Sequence, residues 1–438
     1  MTAEIAVMNK DAIALAADSA VTVGMGNGDR RLDKVFTSAN KIFALSKYEP
    51  MAIMFYGNAT LMSVPWEAII KLYRQQLARK QFAKAEQYAA DFLKFLHQHT
   101  KLFPEDKCVL FFQQHIHAFY SLILEEILEL VADPNAVPKP IALDSVKVEG
   151  VIERHAHAWK QADYLQTADA KAAKSLKAKY KKQITEVIDH VFAEVVLTTK
   201  ARASLLDMGV HALVKCPKHL GWGSTAGVVV AGFGSEDFFP VLESFSINGV
   251  FGGHLNYRQQ TSARIGFDNP VGILPFAQPD VVYTFMEGVD PNYQRTVEQS
   301  TEALLKSAPE KIIDSCAFLD DPTKARIKSE FASIVPKLAE MHFKALAKNR
   351  GDMFWRQVVN LIEVFPKPEL AALAESMVTL TALRRKVEAG VETVAGPIDV
   401  ALISKGDGFI WIKRKHYFDP KLNHQFFTNY FPTPGKTV

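Results

Sequence analysis

Thr2-Ala3-Glu4-Ile5-Ala6-Val7-Met8, Asn9-Lys10-Asp11, Ala12-Ile13-Ala14-Leu15-Ala16-Ala17, Asp18-Ser19-Ala20-Val21-Thr22-Val23-Gly24: the reading of the whole chain turns on this opening stretch. Two apolar runs of strand length stand on either side of a short polar turn. A loop holding Gly24, Gly26 and Gly28 follows, and Lys41-Ile42-Phe43-Ala44-Leu45 and Met51-Ala52-Ile53-Met54-Phe55 read as two further strands.

Beyond residue 59 the texture changes. From Thr60 to His219 the pattern is helical, with Trp66, Ile69, Ile70, Tyr73 and Leu77 on one apolar stripe. Strand character returns at Ala226–Ala231 and Phe239–Leu242. A second helical block covers Pro291–Val364, and another helix Leu370–Val387. A strand pair, Ile398–Ile403 and Phe409–Lys413, is hinged on Gly406-Asp407-Gly408. Strands at both ends with helices spliced between them predict one α/β core built from distant segments. The expected division is 1–59, first core part; 60–221, helical insertion; 222–290, central strands; 291–367, second helical insertion; and 368–438, closing helix and strands.

Composition removes several function classes. The 438 residues carry 51 Lys and Arg against 48 Asp and Glu, a formal balance of +3, too small to argue for a nucleic-acid partner. Cys108, Cys216 and Cys316 are far apart, which argues against a disulfide framework or a thiolate metal site and fits a reducing compartment. The most apolar helix, Val109–Val131, holds Gln113, Gln114, His115, His117, Glu125 and Glu126, wrong for a lipid-facing span. Met1-Thr2-Ala3-Glu4 lacks a basic leader. A soluble, cytoplasmic protein without membrane segments is expected.

Thr2 is the first residue with chemical promise. A threonine hydroxyl needs a base, and a threonine at the chain terminus carries its own α-amine as one. That amine has a reference pKa of about 7.7–8.0, so part of it is neutral near pH 7. Met1 followed by the small Thr2 suits ordinary methionine excision, so no propeptide is required.

The surrounding pattern resembles the proteasome β-type, HslV and Anbu-like N-terminal-nucleophile hydrolases. In them a strand starts at the nucleophile, and an Ala-Ala-Asp-Ser-like segment reaches an aspartate sixteen residues on; here 18 − 2 = 16. Lys41–Leu45 is similar to their lysine-led third strand, and Phe55-Tyr56-Gly57-Asn58-Ala59 to the strand ending on the oxyanion glycine. Ala395-Gly396-Pro397-Ile398-Asp399-Val400 and Gly406-Asp407-Gly408 resemble the closing hairpin. The likeness covers about 60 residues at the front and about 45 at the back.

This resemblance implies a four-layer αββα sandwich carrying large helical insertions. It implies Thr2 as nucleophile and Asp18 as the carboxylate holding a lysine ammonium. The Gly57 N–H would bind the oxyanion, and the Thr22 backbone an extended substrate. Lys41 fits by context and Lys34 by spacing, since 34 − 2 = 32; Lys41 is favoured, because loop length varies more readily than strand order. Three positions depart from the family: Ala20 replaces its arginine, no serine stands near Leu274–Gln278, and Val391–Val394 holds neither Asp nor Ser, only Glu392 and Thr393.

The implied activity is cleavage of peptide bonds in peptides or unfolded proteins through a Thr2 ester, without cofactor or metal. Alternatives are hydrolysis of a small non-protein amide and a catalytically silent assembly scaffold. A homo-oligomer is expected, as a single ring, dimer or open spiral rather than a double ring, and an unfoldase partner stays open.

Other signals are set aside. His97/His99, His115/His117 and His155/His157 lie two apart in helical texture, point away from each other and read as surface histidines. Lys171, Lys174, Lys177, Lys179, Lys181 and Lys182 read as a solvated helix face rather than a phosphate track. Gly221-x-Gly223-x-x-Ala226 precedes a strand instead of joining strand to helix, and Gly435-Lys436-Thr437 lacks the upstream glycine of a phosphate loop.

Overall fold

The computed structural model describes residues 2–25, 32–131, 145–217, 226–388 and 394–425. In chain order the elements begin with strands β1 (Glu4–Met8), β2 (Ala12–Ala17), β3 (Val21–Met25), β4 (Leu32–Phe36), β5 (Ile42–Ala44), β6 (Met51–Gly57) and the short pair β7 (Thr60–Leu61) and β8 (Val64–Pro65). Six helices follow: α1 (Trp66–Leu77), α2 (Ala85–Gln98), α3 (Glu105–Val131), α4 (Ser145–Gln161), α5 (Ala170–Val191) and α6 (Thr199–Val214). Then come β9 (Ala226–Gly232), β10 (Val241–Phe251), β11 (His254–Arg264) and β12 (Gly272–Ala277). The chain continues through α7 (Pro279–Glu287), α8 (Pro291–Ser315), α9 (Asp321–Arg350), α10 (Arg356–Glu363) and α11 (Lys367–Val387), and β13 (Asp399–Ser404) and β14 (Gly408–Lys413) close it. The fold class is mixed α and β with antiparallel sheets.

These elements form two compact units, one of residues 1–39, 265–402 and 410–438, the other of 40–264 and 403–409.

The first unit holds a sheet of order β12-β1-β2-β13-β14. Its central hairpin is set by Asn9, whose side-chain oxygen accepts the N–H groups of Asp11 and Ala12 at 3.0 and 3.2 Å, an Asx turn that reverses the chain. The Asn9 amide donates to the carbonyls of Ile362 and Phe365, anchoring the turn beneath α10. One face of the hairpin, Ala3, Ile5, Val7, Ala12, Ala14 and Ala16, packs on α11. Four of these six side chains are methyl groups, which lets the helix lie close. On α11 the buried positions Leu370, Ala371, Ala374, Met377, Val378 and Thr381 repeat with the helical period. The opposite face, Ala6, Met8, Ile13, Leu15 and Ala17, is buried as well. Helices α8 and α9 pack against each other and leave Tyr293, Leu304 and Met341 exposed.

The second unit holds the sheet β11-β10-β9-β6-β5. Ile53, Phe55, Val228, Val230 and Phe245 face α1 and α2. The stripe Trp66, Ile69, Ile70, Tyr73 and Leu77 expected from the sequence is the buried face of α1. Here too the other face, with Ala52, Met54, Val229, Ala231 and Leu242, is fully buried. Helices α3–α6 form a separate core around Phe112, Tyr120, Trp159 and Tyr180. α6 crosses closely at Gly209, where a Cβ would lie 2.6 Å from Ile184 and 2.7 Å from the Tyr120 hydroxyl. Thus the helical stretch read as one insertion divides: α1 and α2 cover a sheet, and α3–α6 cover mainly one another.

Sequence reasoning shortened β10 and passed over β11 and β12. Apart from Leu255 and Tyr257, β11 is polar (His254-Leu-Asn-Tyr-Arg-Gln-Gln-Thr-Ser-Ala-Arg), as an edge strand can be. β12 contains Pro275, which edge strands tolerate and central strands do not.

Candidate active site

The β1–β2 register pairs Glu4 with Ala17, so one step outward Ala3 stands against Asp18. The Asp18 N–H donates to the Ala3 carbonyl at 3.1 Å, and Asp18 Oδ1 accepts the Ala3 N–H at 3.0 Å. Asp18 Oδ2 accepts the N–H groups of Ala20 at 3.0 Å and Ala395 at 3.2 Å. The carboxylate, 1% exposed, therefore holds the residue after Thr2, its own strand end and a segment 377 residues away. The Ser19 N–H donates to the Ala395 carbonyl at 3.2 Å, and the Ser19 hydroxyl donates to that of Pro397. Between them Gly396 has φ +83°, and a Cβ there would lie 2.8 Å from the Thr37 carbonyl oxygen, so the turn admits only glycine comfortably.

Thr2 is 4% exposed, and its hydroxyl donates to Glu4 Oε2 at 2.8 Å. Residues two apart on a strand share a face, so Thr2 and Glu4 lie on the side of the hairpin away from α11. Glu4, 2% exposed, is the polar neighbour of Thr2 that sequence reasoning missed. Its signal was a single acid opening an otherwise apolar strand.

The lysine candidates have different surroundings. Lys34, on β4, is exposed and its ammonium lies 5.1 Å from the centre of the Phe36 ring. Lys41, directly before β5, is 1% exposed, and its carbonyl accepts the Phe55 N–H at 3.1 Å. An ammonium buried to that degree requires polar partners. Gly57 ends β6 with φ +77°, a conformation that costs other residues, and pairs with Ala226 on β9. The main chain of Thr22 pairs with Val35 across the β3–β4 ladder. Gly26, Gly28, Val391, Glu392, Thr393, Gly221, Gly223 and Gly435–Thr437 lie outside the described residues. The rear brace sought near Val391–Val394 is therefore seen only from Val394 onward, where Ala395 meets Asp18 directly.

The histidines do not pair as ligands, but four of the six are not plain surface residues, since His97 and His99 accept the N–H groups of Leu255 and Leu102, both at 3.3 Å. The His115 ring packs on Phe251 with centroids 5.3 Å apart, and burial lowers its pKa to about 4. His155 Nε2 lies 2.6 Å from Glu126. Both follow from α3 sitting inside the α3–α6 core rather than on its rim. The α5 lysines are exposed, as expected of a solvated face. Among the described residues no group of three His, Cys, Asp or Glu could hold a metal, and no helix is long and apolar enough to cross a membrane.

No protein-family model and no curated protein sequence matches the chain.

Proposed function

We propose that the chain is a threonine-type N-terminal-nucleophile hydrolase with a four-layer αββα core, cleaving peptide bonds through a Thr2 ester. The observation that carries this reading is the fixed start of β1: Asp18 grips the Ala3 N–H, and a buried Thr2 hydroxyl at the strand head is aimed at a carboxylate. The layered core is supported by two sheets that each pack helices on one face and bury the other.

Once Thr2 is the terminal residue, its amine takes the hydroxyl proton as Oγ attacks the carbonyl carbon. The resemblance assigns the oxyanion to the Gly57 N–H, a donor worth about 3 kcal/mol in comparable sites. The protonated amine then gives its proton to the leaving nitrogen, and water hydrolyses the ester by the reverse path. The resemblance gives the activating lysine as Lys41. Its burial favours it over the exposed Lys34. Glu4, which accepts a hydrogen bond from the Thr2 hydroxyl, is a further base in reach. The substrate backbone adds as a strand beside Thr22, and the working form is a homo-oligomer in the cytoplasm.

One observation favours a silent scaffold instead: Thr2 is 4% exposed and its hydroxyl is engaged by Glu4. Intact mass spectrometry and labelling by a β-lactone that traps terminal threonine separate the two. Loss of Met1, labelling of the wild type and none of Thr2→Ala support the hydrolase. A retained Met1 makes the amine an amide and refutes it. Hydrolysis of casein fragments, against a panel of small acyl amides, tells a peptidase from a small-amide hydrolase. Light scattering with activity read across dilution tests the oligomer, which a fully active monomer would refute.

A further inference from the structure

A cleft of about 980 Å³ opens in the second unit between one face of α2, the segment after α4 and the strands β10 and β11. Its size is that of pockets for drug-sized ligands. All its walls come from residues 86–259, so its reading does not depend on the chemistry of Thr2. The apolar floor is Leu93, Phe245, Leu255 and the Tyr257 ring, with Phe245 and Tyr257 edge to face at 6.0 Å. Glu86 and His97 both line it; eleven residues apart on α2, they give it a length of about 16 Å at 1.5 Å per residue.

Three acids and two cations line it, and they differ in their partners. Glu86 pairs with Arg264. Glu243 accepts from Gln259 and from Ser262. Asp163 acts on the ammonium of Lys215. Two cations line it, and among the described residues neither is paired with a carboxylate. Arg258 donates only to the Pro217 carbonyl and the Gln260 side chain, at 3.1 and 3.2 Å, and Lys94 is exposed on α2. His97 adds a donor: its Nδ1 accepts the Leu255 N–H at 3.3 Å, which leaves Nε2 to carry the ring proton of the neutral form.

We propose that this cleft binds an amphipathic carboxylate, its apolar body on Leu93, Phe245 and Tyr257 and its anionic head on Arg258 and Lys94. A guanidinium with neutral partners only can accept a carboxylate without giving up an existing ion pair.

Calorimetric titration of the full chain with decanoate, below its micelle concentration, tests the assignment. One saturable site is expected, with decanol, which has the same body without the charge, weaker by about tenfold or more. Arg258→Gln and Lys94→Gln should each weaken decanoate binding several-fold and leave decanol unchanged. Lys94 is exposed, so its variant keeps the test open if the Arg258 variant does not fold. Ala90→Trp, at an exposed position on the cleft wall, should abolish binding of both with the circular dichroism unchanged. Thr2→Ala should bind as the wild type does. Equal affinity for decanol and decanoate, no effect of either charge substitution, binding that survives Ala90→Trp, or binding lost in Thr2→Ala would each overturn the proposal.

Discussion

Replacing Asp18 by alanine tests the joint at the head of β1 without any assumption about substrate. The carboxylate accepts three backbone N–H groups, from Ala3, Ala20 and Ala395, at 3.0, 3.0 and 3.2 Å, and is 1% exposed. A hydrogen bond to a charged group contributes about 1.5–3 kcal/mol, so three sum to roughly 4.5–9 kcal/mol as an upper bound. The three share one acceptor and are not additive, and water entering the vacated space recovers part of the loss. We expect about 3–5 kcal/mol of destabilisation, the range for breaking a buried charged network. Asp18→Asn should cost less, because its side-chain oxygen still serves some of the three donors while its NH₂ opposes another. Urea unfolding gives the total, and amide hydrogen exchange locates it. Exchange at Ala3, Ala20 and Ala395 should accelerate together, by far more than at Met8 or Ile13 in the same hairpin. Unchanged exchange at Ala395, or a loss under about 1 kcal/mol, would refute the view that this carboxylate ties the two ends of the chain together.

Lys41→Ala should lower turnover by at least ~10²-fold while Lys34→Ala changes it less than about twofold, measured on the same peptide; the reverse order would assign the site to Lys34. Glu4→Gln keeps a hydrogen-bond acceptor for Thr2 and removes the charge, so a large fall in turnover with an altered pH profile would identify Glu4 as a proton acceptor, and an unchanged profile would leave the amine in that role. Asp237→Ala removes a buried carboxylate that accepts from Ala85 N–H at 2.8 Å and Gly234 N–H at 2.9 Å at the start of α2, and should cost about 2–3 kcal/mol in urea unfolding. His115 is held neutral by burial, with a folded pKa of about 4 against 6.5. Its contribution is complete above pH 6.5 and is lost as pH falls toward 4, because the unfolded chain then takes up a proton the folded ring resists. His115→Leu should therefore lose less stability than the wild type between pH 7 and 4, by an order of 2–3 kcal/mol, and an identical pH dependence would contradict the burial of the ring.

What was legible in the sequence followed from local pattern. The hairpin 4–17 and the stripe on α1 are periodicities of the residues themselves, and both stand where they were expected. β11 and β12 were not legible because edge strands need neither apolar alternation nor freedom from proline. Thr2 and Asp18 were singled out through the family resemblance, and the hairpin sets Asp18 against Ala3, the residue after Thr2. The contact of Asp18 with Ala395 could not, since nothing local links positions 377 residues apart. Nor could the choice between Lys34 and Lys41 be read from spacing, although their burial differs sharply once the chain is folded. Glu4 was passed over because a strand-end acid is ordinarily a solvated one.

The turn 395–397, clasped to Asp18 and Ser19, makes the proposed site a late product of synthesis. At about 5–20 residues per second, the ribosome needs roughly 20–75 s after Asp18 emerges before Ala395 follows. The neighbours of the opening hairpin in its sheet, β12 and β13, are likewise made long after it. Residues 40–264, which form nearly all of the other unit, are complete before either arrives. The nascent chain thus carries its first strands without their sheet for most of translation, and a ribosome-bound fragment ending before residue 395 should hold Thr2 in an unfinished setting. On the proposed reading, the chain stays inert until the segment around Ala395 has been made.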